Sequence, residues 1–235
     1  MTCLRIIGVV TIKDDWVVQS FGYSSYLPLG RPSQIIKNLD RWGVDEIYIQ
    51  VIDRSSNSLG PDIDLLSSLS SLKLSTPLIY SGGIRNHDDA VNVVSHGADR
   101  IVLDHLLWNQ ELDSIKMIES TIGRQAMIAS MPLSLKSDIL FWHNYIDKSS
   151  VPLSNVKSLL ELLSHFSEII LVDWMNDGCT LSRNFSSSII KSFPIPSSSF
   201  ITFGGIQSSD DFLPLSMNPS VVAVAIGNSL NYTEH

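Results

Sequence analysis

A pair of adjacent glycines occurs twice in this chain of 235 residues, at Gly82-Gly83 and again 122 positions later at Gly204-Gly205. Each pair follows a short apolar run and precedes a polar stretch. Adjacent glycines let backbone N–H groups approach an anion closely, because no side chain intervenes. The glycines could instead do no more than form tight turns, although their repetition at one offset favours two anion sites.

Other residues are expected at the same end of the molecule as the glycine pairs. The further anion-site candidates are Asp104 and His105 for the first site, and Asp177, Gly178, Gly227 and Asn228 for the second. They lie at or near expected helix starts, where free N–H groups favour a phosphate. His105 could bind a phosphate or act as a base, and it is as well explained as a capping or packing residue.

Two aspartates, Asp53 and Asp173, are the carboxylates best placed for acid–base chemistry. They are 120 positions apart, and each lies at or just beyond the end of an apolar run. They could form a general acid–base pair, or they could equally be helix caps or loop anchors. Trp108 and Trp174 are expected at the same end of the molecule and could stack on a substrate ring, although core packing is the more ordinary role for each.

Eight short apolar runs, alternating with helical patterns, must position these residues. The runs are 6–12, 47–52, 77–80, 101–103, 126–129, 169–172, 200–203 and 221–226. Continuous runs rich in isoleucine and valine are typical of parallel strands covered by helices. Eight such units predict an α/β fold, a closed (β/α)8 or TIM barrel, with its candidate site residues at the carboxyl ends of the strands.

The repetition predicts one barrel domain, residues 1–235, built of two half-barrels at about 1–123 and 124–235. Segment 46–49 reappears as 168–171, at the offset of the glycine pairs. A small hairpin is expected at 13–20, and 134–154 is expected to be the longest irregular connection. Eight residues follow Gly227, so a shortened C-terminal helix is expected.

Composition limits the partners and the compartment. Charged residues make up 17% of the chain and the net charge is −8, so there is no basic surface for nucleic acid. No apolar run approaches the roughly 18 residues of a membrane span. Cys3 and Cys179 form neither a disulfide framework nor a metal-binding spacing. We therefore expect a cytoplasmic protein with free thiols, without metal, cofactor, nucleic-acid or membrane partner.

Three glycine motifs resemble those of the histidine-biosynthesis barrels, the HisA/HisF family. They are glycine-glycine-isoleucine after the third strand, aspartate-glycine after the sixth and glycine-glycine after the seventh. The resemblance spans essentially the whole chain, and segments 5–18, 43–47 and 97–100 are closest to the cyclase subunit of imidazole glycerol phosphate synthase. It implies a lyase family coupled to a glutamine amidotransferase, with a phosphorylated small molecule as ligand.

The chain departs from the cyclase where that enzyme does its chemistry. The cyclase uses two aspartates, at the ends of strands one and five, as general acid and base, whereas Thr11 and Ser130 stand at the matching positions here. Neither hydroxyl can shuttle protons near neutral pH unaided. At the first phosphate site, Asp104 and His105 replace asparagine and threonine, and a carboxylate beside a phosphate is unfavourable. The residues of the second phosphate site match those of the family more closely than the residues of the first.

Four charged residues match a ring that the resemblance places at the amino ends of strands one, two, four and six. They are Arg5, Glu46, Arg100 and Glu168. In the family, this ring gates ammonia that passes from a glutaminase subunit into the barrel. The alternative is an ordinary salt-bridge cluster, since the amino-terminal face of a TIM barrel usually serves stability. All four positions carry the family's charge sign, which favours the gate.

Three functions follow from the resemblance. In the first, the chain binds a glutaminase (HisH-like) subunit at its N-terminal face and channels ammonia for an amidotransfer reaction, such as sugar or glycan amidation by a third protein, a sugar amidotransferase. In the second, it is an active cyclase of histidine biosynthesis. In the third, it is a non-catalytic scaffold for a phosphorylated ligand or a partner. The first function is favoured because the four ring residues match the family, whereas Thr11 and Ser130 replace its two catalytic aspartates.

Overall fold

A computed structural model describes residues 4–153, 156–178, 185–195, 198–206 and 208–231. In chain order the strands are β1 (Arg5–Lys13), β2 (Trp16–Phe21), β3 (Ser25–Gly30), β4 (Glu46–Val51), β5 (Leu78–Ser81), β6 (Arg100–Leu103), β7 (Met127–Lys136), β8 (Ile139–Asn144), β9 (Ser149–Pro152), β10 (Glu168–Asp173), β11 (Phe200–Phe203) and β12 (Val221–Ile226). The α-helices are α1 (Pro32–Trp42), α2 (Ile63–Ser70), α3 (His87–Ser95), α4 (His105–Trp108), α5 (Leu112–Ile122), α6 (Val156–Leu163), α7 (Phe185–Ser192), α8 (Ser209–Ser216) and α9 (Asn228–Asn231). Short 3-10 helices lie at Arg124–Ala126 and Trp174–Asn176.

Eight of the strands close into a parallel barrel. Their order around it is β1, β4, β5, β6, β7, β10, β11 and β12, and β12 pairs back onto β1. This confirms the predicted TIM barrel and its eight strands. Seven strands agree with the predicted runs to within a residue at either end, while β7 continues to Lys136.

Apolar side chains form two clusters, one on each side of the barrel wall. The cluster inside the barrel comprises Ile7, Val9, Tyr48, Ile79, Val102, Ile128, Ile170, Val172, Ile201, Phe203, Ala223 and Ala225. The larger cluster lies between the strands and the helices and includes Ile36 and Leu39 of α1. Successive side chains of a strand point to opposite faces, and here both faces are buried, which is why the strands read as continuous apolar runs.

Two antiparallel ribbons extend from the carboxyl end of the barrel. The first consists of β2 and β3 and continues β1, so the hairpin expected at 13–20 is larger and reaches Gly30. The second consists of β8 and β9 and continues β7. The expected irregular connection at 134–154 is therefore wrong. The strands of the second ribbon are partly exposed and do not form an apolar run. A prediction based on continuous apolar runs therefore could not find them.

The two halves share the backbone geometry of their glycine turns. Gly82 has a φ of +124° and Gly204 a φ of +100°. A Cβ atom on Gly82 would lie 2.3 Å from the carbonyl oxygen of Val51, and one on Gly204 would lie 2.4 Å from that of Asp173. Val51 and Asp173 are themselves 122 positions apart. The repeat seen in the sequence therefore extends to the contacts that require glycine.

The last described helix, α9, has four residues, and residues 232–235 lie outside the described part of the chain. Cys3 and Cys179 also lie outside it. Among the described helices, none is long and apolar enough to cross a membrane.

Candidate functional site

The four charged residues at the amino ends of β1, β4, β6 and β10 form one closed ring. Arg5 lies 2.7 Å from Glu46 and 2.5 Å from Glu168. Arg100 lies 3.1 Å and 2.8 Å from the same two carboxylates. Each glutamate therefore pairs with both arginines, and the ring has no net charge. The structure brings together all four residues that the sequence singled out.

Further contacts fix one side of this ring. The guanidinium group of Arg100 donates to the hydroxyl of Ser167 at 3.0 Å and to the carbonyl oxygen of Gln125 at 3.2 Å. The side chain of Glu46 is 9% exposed and that of Arg5 is 30% exposed. The ring is thus partly shielded from water, which strengthens its electrostatic interactions relative to those of surface pairs.

At the other end of the barrel, Thr11 and Ser130 are both buried. Thr11 donates a long hydrogen bond, 3.4 Å, to the side-chain oxygen of Gln50, which also accepts one from the hydroxyl of Tyr23 at 3.2 Å. Ser130 lines the main cavity of the barrel mouth. These two positions therefore offer hydroxyl groups, and neither is a general acid or base by itself.

The structure does not bring Asp53 and Asp173 together. They follow or end β4 and β10, which lie on opposite sides of the eight-stranded barrel. The carboxylate of Asp53 accepts from the backbone N–H of Asp14 at 2.8 Å and so anchors the turn between β1 and β2. Both oxygens of Asp173 accept from the side-chain amide of Asn176, at 2.9 and 2.8 Å. The geometry favours the anchoring role over an acid–base pair.

Asp173 and Asp177 are two buried carboxyl groups on either side of the 3-10 helix Trp174–Asn176. Burial raises the pKa of Asp173 to about 7, although the side chain and backbone of Asn176 oppose the rise. Burial also raises the pKa of Asp177 to about 6, against the opposing effect of the Ser20 side chain and a backbone hydrogen bond from Tyr23. The negative charge of Asp177 adds to the rise at Asp173.

At the first candidate anion site, the N–H groups already have partners. The backbone N–H of Gly83 donates to the hydroxyl of Ser55 at 3.2 Å. The carboxylate of Asp104 accepts from the N–H of His105 at 2.6 Å, so it takes a donor that a phosphate would use. The side chain of Asp104 is exposed to the cavity, and desolvation by the surrounding protein raises its pKa. Gly82 and His105 line the same cavity.

The second candidate anion site is more compact. A cavity of about 30 Å³ is lined by all six of its predicted residues, Asp177, Gly178, Gly204, Gly205, Gly227 and Asn228. The first ribbon lies over it: a Cβ atom on Gly178 would come within 2.3 Å of the carbonyl oxygen of Ser20. The side chain of Asn228 exchanges two hydrogen bonds with the backbone of Ser20, at 3.2 and 2.6 Å.

Aromatic side chains from both ribbons meet at the mouth of the barrel. The rings of Tyr23 and Tyr145 lie 4.9 Å apart, and His143 stacks on Trp174 at 4.0 Å. Of these four residues, only Trp174 was predicted from the sequence as a residue that could stack on a substrate. A signal was present, because Tyr23 and Tyr145 are separated by 122 positions, the offset of the glycine pairs.

The main cavity of the mouth has a volume of about 630 Å³ and lies on the side of the first candidate site. Its walls include Trp108, Trp142 and Trp174. Among the described residues, none lines both this cavity and the small one at the second site. The mouth therefore contains a large cavity, lined by the aromatic side chains of the ribbons, and a separate small one at the second site.

A closed (β/α)8 barrel with a glycine turn after its third and seventh barrel strands defines the class of protein. Residues 5–235 match the family described as histidine biosynthesis protein, and the chain belongs to that family. It is a HisF-like member, as its similarity to curated relatives indicates.

Three relatives illustrate this similarity. A protein of Vibrio vulnificus, named provisionally as imidazole glycerol phosphate synthase subunit hisF2, is 27% identical over 100% of this chain and 86% of its own length. The imidazole glycerol phosphate synthase subunit HisF of Sulfolobus acidocaldarius is 26% identical over 91% of this chain and 85% of its own. A provisionally named hisF2 subunit of Parasynechococcus marenigrum is 30% identical over 80% of this chain and 70% of its own.

Proposed function

We propose that this barrel binds a glutaminase subunit at its N-terminal face and conducts ammonia along its axis to a reaction at its C-terminal mouth. The observation that carries the proposal is the closed ring of Arg5, Glu46, Arg100 and Glu168. Two positive and two negative side chains around the barrel axis make a neutral polar entrance. A rearrangement of one ion pair would open it without moving the backbone.

The residues above the ring support passage of the neutral molecule. Ile7, Tyr48 and Ile170 belong to the apolar cluster inside the barrel, and Ala223 and Ala225 of the same cluster have the smallest side chains in it. An apolar path favours ammonia over ammonium, because an unpaired charge is costly to bury. The same side chains form the core of the barrel, so an experiment must separate passage from stability.

The carboxyl end of the barrel supports delivery of nitrogen in preference to ring closure. Thr11 and Ser130 are hydroxyl residues, while Asp53 and Asp173 are held on opposite sides. The acceptor reaction is then an amidotransfer, such as amidation of a sugar or glycan by a third protein, a sugar amidotransferase. In this proposal the barrel supplies ammonia and a binding surface.

The test is a coupled reaction reconstituted with the cognate glutaminase and acceptor enzyme. We expect the barrel to form a complex with the glutaminase and to stimulate glutamine hydrolysis. Arg5→Ala and Glu168→Ala should lower glutamine-dependent amidation about tenfold, while amidation from added ammonium chloride continues, because the altered step precedes the chemistry.

Arg124→Ala is the matched control, since Arg124 lies at the same end of the barrel but binds the carbonyl oxygen of Phe166 outside the ring. Absence of a complex, or equal rates for the wild type and both ring variants, would contradict the proposal and support a non-catalytic scaffold.

A second candidate, an active cyclase, is favoured by one observation: the six predicted residues of the second anion site converge on a single small cavity. The relatives' names point to the same activity. Growth of a histidine auxotroph that lacks its cyclase subunit separates the two candidates. Rescue by this chain would establish the cyclase, and failure of a well-expressed chain to rescue would reject it.

A further inference from the structure

The main cavity of the barrel mouth contains a carboxylate that has no cationic partner in the described part of the chain. Asp104 uses one oxygen to accept from the N–H of His105, and it takes part in no ion pair there. Its surface faces a cavity of about 630 Å³. A carboxylate that lines a cavity and lacks a cationic partner can form a charge-assisted hydrogen bond with a ligand that carries a positive charge.

The walls of the cavity suit an organic cation. Trp174 is stacked on His143, and Trp108 packs edge-on against Trp142 at 5.0 Å. Tyr145, which packs edge-on against His143, also lines the cavity. The faces of tryptophan and tyrosine rings attract cations, and they also stack on planar ligands. Two carboxylates line the cavity, Asp53, which is bound to the backbone N–H of Asp14, and Asp104. Aromatic walls beside a carboxylate are a combination that suits amines and amidines.

Two lysines, Lys13 and Lys148, also line the cavity, on other parts of the chain than Asp104. Lys13 ends β1 and is bound to Asp14 at 2.6 Å, with its ammonium group 5.7 Å from the ring centre of Tyr26. Lys148 lies in the turn between β8 and β9, and it is exposed. Lys13 is the last residue of β1, whereas Asp104 directly follows β6, and the strands β4 and β5 lie between β1 and β6 in the barrel. Neither lysine forms an ion pair with Asp104 among the described residues.

A phosphate fits this arrangement poorly. It would face the carboxylate of Asp104 and would find the N–H groups of Gly83 and His105 already bound. Around Asp104, the hydroxyls of Tyr48 and Ser81 bond to each other at 2.8 Å. The polar groups on the barrel side of the cavity thus include carboxylate and hydroxyl groups, which can accept from a ligand that donates hydrogen bonds, beside the amide of Gln50 and the imidazole of His105.

We propose that this cavity binds a small unphosphorylated molecule bearing a positively charged nitrogen, an amine or an amidine, with its nitrogen on the carboxylate of Asp104 and its body against the aromatic walls. The proposal goes beyond ammonia passage and does not require it, because the site lies wholly within this chain. A barrel that has no glutaminase partner would still bind such a ligand.

The test compares three probes of one shape in the isolated chain: benzylamine, benzyl alcohol and phenyl phosphate. Tryptophan fluorescence reports binding directly, since three tryptophans line the cavity. The wild type should bind benzylamine at least about tenfold more tightly than benzyl alcohol, as a charge-assisted contact implies, and phenyl phosphate should bind more weakly than both.

Asp104→Asn keeps an acceptor for the N–H of His105 and the preference for a helix-capping residue, so the fold should persist. It should weaken benzylamine about tenfold, leave benzyl alcohol unchanged and strengthen phenyl phosphate. Asp138→Asn, which removes the same charge from the exposed turn between β7 and β8, should change none of the three affinities.

Two results would overturn the proposal. One is a wild type that fails to bind benzylamine at millimolar concentration or that prefers phenyl phosphate. The other is an Asp104→Asn variant with circular dichroism like that of the wild type and an unaltered order of affinities. Both readouts are independent of glutamine hydrolysis, so they leave the ammonia-passage proposal to be judged by its own experiment.

Discussion

At the scale of single residues, the most unusual group is the carboxyl of Asp173, which is 1% exposed and bound only to Asn176 among the hydrogen bonds of the described residues. Burial raises its pKa to about 7 in the folded protein. In the unfolded chain, an aspartate titrates near 3.9. Between these two values the folded state holds a proton that the unfolded state has released. The contribution of Asp173 to stability therefore falls as the pH rises through this window.

Asp173→Asn removes this titration. The free energy of unfolding of the variant, relative to the wild type, should become more favourable by about 2 to 3 kcal/mol between pH 5 and pH 8, as the size of the shift implies. Urea unfolding at both pH values measures it. Asp177 shifts in the same direction in both proteins, so most of its contribution cancels in the comparison. A difference that stays constant across this range would contradict the assignment.

At the scale of elements, the glycine turns after β5 and β11 join the strands to their helices under a tight steric limit. In Gly204→Ala the new methyl group would lie 2.4 Å from the carbonyl oxygen of Asp173, at a φ of +100°. The backbone must shift, so we expect a loss of about 3 kcal/mol or more in the free energy of unfolding. Urea unfolding of the purified variant tests this.

Gly43→Ala is the matched control. Gly43 ends α1 with a φ of +76°, but a Cβ atom there would meet nothing within 4 Å. Only the conformational penalty applies, about 1 kcal/mol. By the repeat, Gly82→Ala should behave like Gly204→Ala. Equal losses for Gly43→Ala and Gly204→Ala would show that the contact with the strand is unimportant.

The barrel strands could be predicted from the sequence because both of their faces are buried, so each is a continuous apolar run. The second ribbon could not be predicted in this way, because its strands are half exposed and its turn, Ser137-Asp138, contains no glycine. Asp138 has a φ of +62°, a conformation that aspartate tolerates better than most side chains. The repeat held the missing signal, since Lys13-Asp14-Asp15 and Lys136-Ser137-Asp138 are 123 positions apart.

The residues of the candidate site also differ in whether they could be predicted from the sequence. The charged ring and the second anion site lie on barrel strands and the loops that directly follow them. The family resemblance grouped the four ring residues, and the glycine repeat together with the predicted barrel grouped the residues of the anion site. The closure of the mouth depends on how the ribbons fold back, which apolar periodicity does not encode. The meeting of Tyr23 and Tyr145, and the position of His143 over Trp174, therefore became visible only in three dimensions.

At the scale of the whole molecule, the charged ring ties strands from both proposed halves of the barrel. Arg5, Glu46 and Arg100 come from the first half, and Glu168 comes from the second. Loss of one member leaves partly buried charges without one of their partners, which costs more than the pair itself contributes. We expect Arg5→Met and Glu168→Gln each to lower the free energy of unfolding by about 1 to 3 kcal/mol.

The double variant, Arg5→Met with Glu168→Gln, distinguishes a ring that gates ammonia from a ring that only stabilises the fold. Arg5 and Glu168 are in direct contact, so the loss in the double variant should be smaller than the sum of the single losses by about 1 kcal/mol or more. Urea unfolding of the wild type, the two single variants and the double variant measures this coupling. Additive losses would show that the ion pair between Arg5 and Glu168 does not contribute to stability. If the double variant is as stable as either single variant and still fails in glutamine-dependent amidation, the ring acts on ammonia itself. If amidation instead follows stability through the series, the ring is a structural clamp and the gate is rejected.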